Sequence, residues 1–128
     1  MQNKLKSVAE FHKAFGLNVR QNPTTDLSDA LITLRFKLME EENSEYLQAA
    51  RDKNLTEVAD ALGDMLYILC GTIIEHGLQH KIEEVFNEIH RSNMSKLDEN
   101  GKPIYREDGK VMKGANYFPP DIQKIINE

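Results

Sequence analysis

Apolar residues recur along most of the chain at helical spacing. Val8, Phe11, His12 and Phe15 share one face of a segment from about Leu5 to Phe15, and Gly16 supplies a stop. Leu27, Leu31, Leu34 and Leu38 follow one another by three or four positions. That stripe predicts a second helix, capped by Asp26 or Ser28 and reaching about Arg51. After a polar turn at Asp52-Lys53-Asn54, Thr56 can cap a third helix that ends near His76 or Gly77. A fourth spans about Gln79 to Leu97, with Ile82, Val85, Phe86 and Ile89 as its apolar positions. Beyond Asp98 the pattern changes. Asn100-Gly101 and Asp108-Gly109 are turn dipeptides. Pro103 to Arg106 and Lys110 to Lys113 read as two short strands around Glu107-Asp108-Gly109. A last helical turn covers Asp121 to Asn127. The expected fold is a single all-α domain over residues 1–128, a bundle of four to five helices with a small C-terminal β-hairpin arm. Its helical core covers about 5–97; the arm and final helix cover about 98–128.

The apolar stripes are interrupted by acids in an unusual place. At about 100° per residue, Glu41, Glu42 and Glu45 fall within about 60° of Leu38, so they continue the core stripe of the second helix. Glu40 points away from it. A solvated acidic surface is the common reading of a Glu-rich helix turn, but it does not explain acids on the core face. The third helix repeats the anomaly. Glu57, Asp60 and Asp64 share one face, opposite the stripe of Val58, Leu62, Met65 and Leu69. Ile68 lies on the acidic side, so this helix is apolar nearly all round, a property of buried helices.

Two helices joined by a short turn pack antiparallel, which brings both acid sets to a similar height near the turn. Carboxylates about 5 Å apart repel by about 3 kcal/mol per pair at an effective dielectric of 20. Such a group binds protons, pairs with bases or binds a cation. The bases nearby are Arg35, Arg51 and Lys53, with Lys37 on the far side. A divalent metal is the better answer. Carboxylate oxygens are hard ligands, which suit Mg²⁺ or Mn²⁺ over Zn²⁺. None of His12, His76, His80 and His90 has an acid three residues before it, so a di-iron Glu-x-x-His site is excluded. The spacing of Gly109 and Gly114 lacks the Lys-Ser/Thr of a P-loop.

Composition sets the class. The 128 residues are 40% apolar, enough for a core, with a net charge of −5. That balance disfavours whole-protein attraction to nucleic acid or to an anionic membrane. Cys70, the single cysteine, excludes an intrachain disulfide and is expected as a small core residue. The first residues lack a signal-peptide stretch, and the apolar run Met65 to Ile74 is too short to span a bilayer. A cytoplasmic location is the expectation.

The motifs Glu-Glu-x-x-Glu (Glu41, Glu42, Glu45) and Glu-x-x-Asp (Glu57, Asp60) carry a family resemblance. So do Leu38-Met39, Leu66-Tyr67, Gly71-Thr72, the segment His90 to Lys96 and the tail Lys113 to Pro120. Over about Phe11 to Ile122 the chain resembles the all-alpha nucleoside triphosphate pyrophosphohydrolases, and in its tail the MazG-like, phosphoribosyl-ATP pyrophosphohydrolase-like branch. The resemblance implies Mg²⁺-dependent cleavage between the α and β phosphates of a nucleoside triphosphate, giving a monophosphate and pyrophosphate. It implies that Glu42, Glu45, Glu57 and Asp60 hold Mg²⁺, with Mn²⁺ as the alternative ion. Glu41 would be a further ligand or the base that activates water, and the resemblance does not fix which of Glu41 and Glu42 takes which role. Asp64 would support the ligands or be a hydrogen-bonded core acid.

Charge is segregated. Residues 38–64 hold eight acids and two bases, whereas 90–113 hold six bases and four acids. The second stretch suits the phosphates, with Arg91, Asn93, Lys96, Lys113 and Tyr117 as substrate contacts. Phe11, Phe15 and Tyr117 could stack on a base, although Phe11 and Phe15 have core spacing. The resemblance, together with the all-round apolar third helix, implies a homodimer or a dimer of dimers. Two rival readings share the acids: a phosphoribosyl-ATP pyrophosphohydrolase of histidine synthesis, and a non-catalytic helical interaction module stabilised by metal.

Overall fold

The computed structural model describes residues 1–128. It is all-α: α1 (Gln2–Ala14), α2 (Asp29–Arg51), α3 (Leu55–Glu75), α4 (Ile82–Met94) and α5 (Ile122–Ile126). The chain divides into two compact units, Met1–His80 and Lys81–Glu128. The division falls before α4, earlier than the change of sequence character near residue 98. No helix is long and apolar enough to cross a membrane.

In the first unit α3 packs against both α1 and α2. Leu5 and Val8 of α1, Ala49 of α2, and Ala61, Cys70, Ile73 and Ile74 of α3 are its fully buried apolar residues. The Leu stripe of α2 is only half covered: Leu27, Leu31 and Leu38 are half-buried, and Leu34 is exposed. Phe11 and Phe15, expected in the core by spacing, are both exposed and lie against each other with ring centroids 4.4 Å apart.

Local chemistry sets the helix ends. Gly16 adopts φ +72° just beyond α1, and the amide of Leu17 bonds the His12 carbonyl at 2.7 Å. Ser28 caps α2 by accepting from the Leu31 amide. The cap of α3 is Asn54, whose side chain accepts from the Glu57 amide at 3.1 Å, not Thr56. Asn54 has the extended backbone a cap needs, and the helix starts two residues earlier than expected.

The segment between α1 and α2 is laid along the end of α3. The amides of Arg20 and Thr24 donate to the carbonyls of Ile74 and His76, and Arg20 Nη1 donates to the Glu75 carbonyl at 2.9 Å. Helix-terminal carbonyls that would lack partners are thereby satisfied. Gly77 (φ +66°) is required here, because a Cβ at this position would lie 2.0 Å from the Asn22 carbonyl oxygen.

In the second unit α4 packs against α5, which Asp121 caps. Ser92 Oγ donates to the Phe118 carbonyl at 2.8 Å, and the Phe118 amide donates to Ser95 Oγ at 3.1 Å. The two serines thus fasten the tail to the end of α4. The expected β-hairpin does not form. One antiparallel bridge joins Tyr105 and Val111 around the Asp108-Gly109 turn, with no strands. Residues 101–113 are all exposed. Its apolar side chains Ile104, Tyr105, Val111 and Met112 stay exposed, and a two-stranded ribbon with no surface to bury them against has little to extend it.

Candidate active site

The acids sit on either side of the α2–α3 turn, and the turn is built tightly. At the end of α2 the Asn54 amide bonds the Ala49 carbonyl at 3.0 Å, and the Lys53 amide bonds Ala50 at 3.2 Å. This is a Schellman closure with Lys53 at φ +55°, a position usually held by glycine. Asn54 then serves at once as the α3 cap. Glu57 falls in the first turn of α3, where the positive end of the helix dipole favours its charge.

Glu45 and Glu57 line one open cavity of about 220 Å³ with Gln48, Ala49, Asp52 and Asn54. Asp52 is an acid the sequence pattern gave no reason to choose, since it lies in the turn. Its carboxylate accepts from Gln48 Nε2 at 3.0 Å. Glu42 stands where the two acid sets meet. It is half-buried, and its Oε2 is shielded from solvent without a hydrogen-bond partner. Its carboxyl is pushed up from 4.5 to about 7, first by desolvation, then by contact with Glu45 and by the charges of Glu45, Asp64 and Asp60. The structure thus brings Glu42, Glu45, Asp60 and Asp64 into one field, with Glu57 across the cavity from Glu45. Glu41 is exposed, and nothing ties it to the others. No group of three or more His, Cys, Asp or Glu side chains is gathered closely enough to hold an ion. In kind, the donors fit a hard divalent cation: all are carboxylates, and one presents a shielded oxygen that lacks a partner.

The basic candidates all lie in the second unit. Arg91 is bidentate on Glu88, at 2.9 and 3.2 Å, and its guanidinium lies 4.4 Å from the Phe118 ring centroid. Hydrogen bonds from Arg91 and from the Asp121 amide hold the Glu88 carboxyl below the usual carboxylate range. Lys113 Nζ stands 4.7 Å from the centroid of Tyr117. The Lys96 carbonyl accepts from the Gly114 amide at 2.9 Å. Asn93 is exposed and Lys96 half-buried.

A second cavity, of about 280 Å³, opens on the same α2–α3 seam. Phe11, Leu34, Leu38, Tyr67 and Ile68 give it apolar walls, and His12, Arg35 and Glu75 give it polar ones. His12 and Glu75 are each 2% exposed. His12 Nδ1 bonds the Asn18 carbonyl at 2.8 Å, so that nitrogen carries the proton. Arg20 pairs with Glu75 at 2.8 Å. This buried cluster was not visible as a site in the sequence, because Glu75 reads as the polar end of an apolar run.

The profile of the phosphoribosyl-ATP pyrophosphohydrolase family matches residues 8–93, two thirds of the chain and all of the acidic motifs. The chain belongs to that family. The resemblance read from the two acid motifs is therefore correct. An uncharacterized protein of Acanthamoeba polyphaga mimivirus is 28% identical over 129 aligned positions, covering 96% of this chain and 47% of the relative. The chain thus spans about half the length of that curated relative. Among solved structures, a protein from Exiguobacterium sp. 255-15, named provisionally as an NTP pyrophosphohydrolase, is 25% identical with a TM-score of 0.50. That likeness covers 98% of this chain and 94% of the other. Family and structural neighbour agree on a pyrophosphohydrolase.

Proposed function

We propose that the chain is a Mg²⁺-dependent pyrophosphohydrolase that cleaves a nucleoside triphosphate between its α and β phosphates. The observation that carries this reading is Glu42: a shielded carboxylate oxygen without a partner, among three further acids, in a family of pyrophosphohydrolases. Glu42, Glu45, Glu57 and Asp60 would hold the ion, with Asp64 orienting Glu42. When bound, the cation offsets phosphate charge and acidifies water. Glu41 is exposed on the next position of α2, free to take a proton from an attacking water. The second cavity, walled by Phe11, Leu38 and Tyr67, suits the base. Leu38, in its wall, lies one helical turn before Glu42, and the volume is just below the usual range of about 300–1,000 Å³ for small-molecule sites. Arg91, Asn93, Lys96, Lys113 and Tyr117 remain the phosphate-contact candidates, and of these Arg91 is the most committed to internal partners.

The active form is a homo-oligomer, a dimer or dimer of dimers. Support comes from the apolar surface of α2 and α3: Leu34, Phe36, Leu62 and Leu69 are 45–64% exposed. A second reading, hydrolysis of phosphoribosyl-ATP, is favoured by the description of the matching family.

Product analysis tests the proposal. The purified protein, with Mg²⁺ or with EDTA, is given a panel of NTPs, dNTPs, modified nucleotides and phosphoribosyl-ATP. The expected products are a monophosphate and pyrophosphate, formed only with Mg²⁺. Diphosphate and inorganic phosphate, or turnover insensitive to EDTA, would overturn it. Glu57→Gln should abolish turnover while circular dichroism shows the fold intact. A variant that merely unfolds would instead point to a metal-stabilised module.

A further inference from the structure

The carboxylates come from two helices, so their mutual geometry depends on how far α2 is slid along α3. Apolar contacts fix that distance weakly, because side chains on this seam are mostly half-buried rather than locked. The side-chain hydrogen bonds between the two helices come from one residue. Arg35 Nε donates to Thr72 Oγ1 at 3.0 Å, and Arg35 Nη2 donates to the Ile68 carbonyl at 2.7 Å. The Thr72 hydroxyl itself donates to the Ile68 carbonyl at 3.2 Å, so the acceptor pair is held rigidly.

We propose that Arg35 is a positioning residue for the carboxylate site: it sets the axial register of α2 against α3, and Gly71 is the opening that admits it. The geometry is specific to a guanidinium. Ile68 and Thr72 are one helical turn apart on α3, and a planar fork with two fixed donors reaches both only at one height. An ammonium group has no such fork. Gly71 lies between them. A Cβ there would stand 2.5 Å from Arg35 Nη2, 3.3 Å from its Cζ and 3.0 Å from His12 Nε2. Any side chain at this position would push the guanidinium off its acceptors.

Arg35 lies seven residues before Glu42, about two turns or 10 Å along α2 and on nearly the same face. A guanidinium has no acceptor with which to ligate a cation, and it stands two turns from the acids, so it acts through the helices. Carboxylates drawn from both helices repel one another across the seam. A tie at the far end of the same seam opposes sliding that would separate Glu42 and Glu45 from Glu57 and Asp60.

The inference rests on the metal-binding reading above, and the test separates the two. Mn²⁺ is titrated into the full-length protein, and free ion is followed by its electron paramagnetic resonance signal. Wild type, Glu57→Gln, Arg35→Lys and Thr72→Val are compared, with circular dichroism on each. Arg35→Lys keeps the charge and loses the fork. It should weaken Mn²⁺ binding by about tenfold or more, the range for residues that orient ligands without touching the ion. Thr72→Val, which keeps the shape and removes one acceptor, should shift affinity less and in the same direction. If Arg35→Lys does not fold, Thr72→Val decides. Folded variants that bind Mn²⁺ like wild type, while Glu57→Gln does not, would overturn the role of Arg35 and leave the metal site standing. Wild type that binds no Mn²⁺ would overturn both.

Discussion

Glu42 carries the clearest consequence of a single side chain. A carboxyl raised to about 7 holds its proton more tightly in the folded chain than in the unfolded one. Its contribution to stability is therefore complete below about pH 4.5 and is lost as the pH rises through about 7. In EDTA the melting temperature should fall between pH 5 and pH 8. Glu42→Gln should remove that part of the fall and melt higher than wild type at pH 8, while Mg²⁺ should narrow the difference. Calorimetry at the two pH values checks both. At this scale the sequence showed which acids were anomalous, since their place on the Leu38 stripe needs only helical angles. It did not show that Glu42 rather than Glu41 is the shielded one, because the two are neighbours and only packing against α3 tells them apart. The buried His12–Glu75–Arg20 cluster was equally hidden, since its members come from three segments.

Among the elements, helices were legible and their connections less so. Periodicity located the first four, the fifth falls within the last helical turn expected over Asp121 to Asn127, and Ser28 and Gly16 mark ends where expected. The α3 cap was misplaced because Asn54 and Thr56 are both capable side chains, and backbone geometry at the Schellman turn chooses between them. The hairpin failed because turn dipeptides specify a reversal, and strands need a surface on which to lie. The α2–α3 turn offers a direct test. Lys53 holds a left-handed conformation that costs an L-residue about 1–2 kcal/mol. Glycine loses more chain entropy, so Lys53→Gly should stabilise the protein by about 0.5–1 kcal/mol net. Denaturant unfolding measures this, and a loss of stability would show that Lys53 contributes something besides its backbone.

For the molecule as a whole, burial is the limiting quantity. Seven apolar residues are fully buried, and three of them are alanine or cysteine. Phe36 is 64% exposed and Leu55 80%. Burying a large apolar side chain is worth about 1.5–3 kcal/mol, so partners that cover these faces would stabilise the chain substantially. Sedimentation should report at least twice the chain mass of 14.7 kDa. Phe36→Glu should shift the population toward the single chain. A monodisperse single chain for wild type would remove the oligomer from the proposal. Charge shows a similar division of labour: the acidic stretch lies in the first unit, and the basic candidates lie in the second.

The strap that lies along the end of α3 has a consequence for exchange with solvent. The amides of Arg20 and Thr24 belong to a loop, and loop amides ordinarily trade hydrogen for deuterium quickly. Here their partners are the carbonyls of Ile74 and His76, so each opens only when the strap leaves the end of α3. In deuterated buffer these two positions should exchange far more slowly than the exposed amides of Tyr105 and Glu107, which donate to no protein acceptor. They should speed up together when Gly77→Ala forces the strap away. Two residues from a connecting segment would then keep time with a helix more than fifty positions further along the chain.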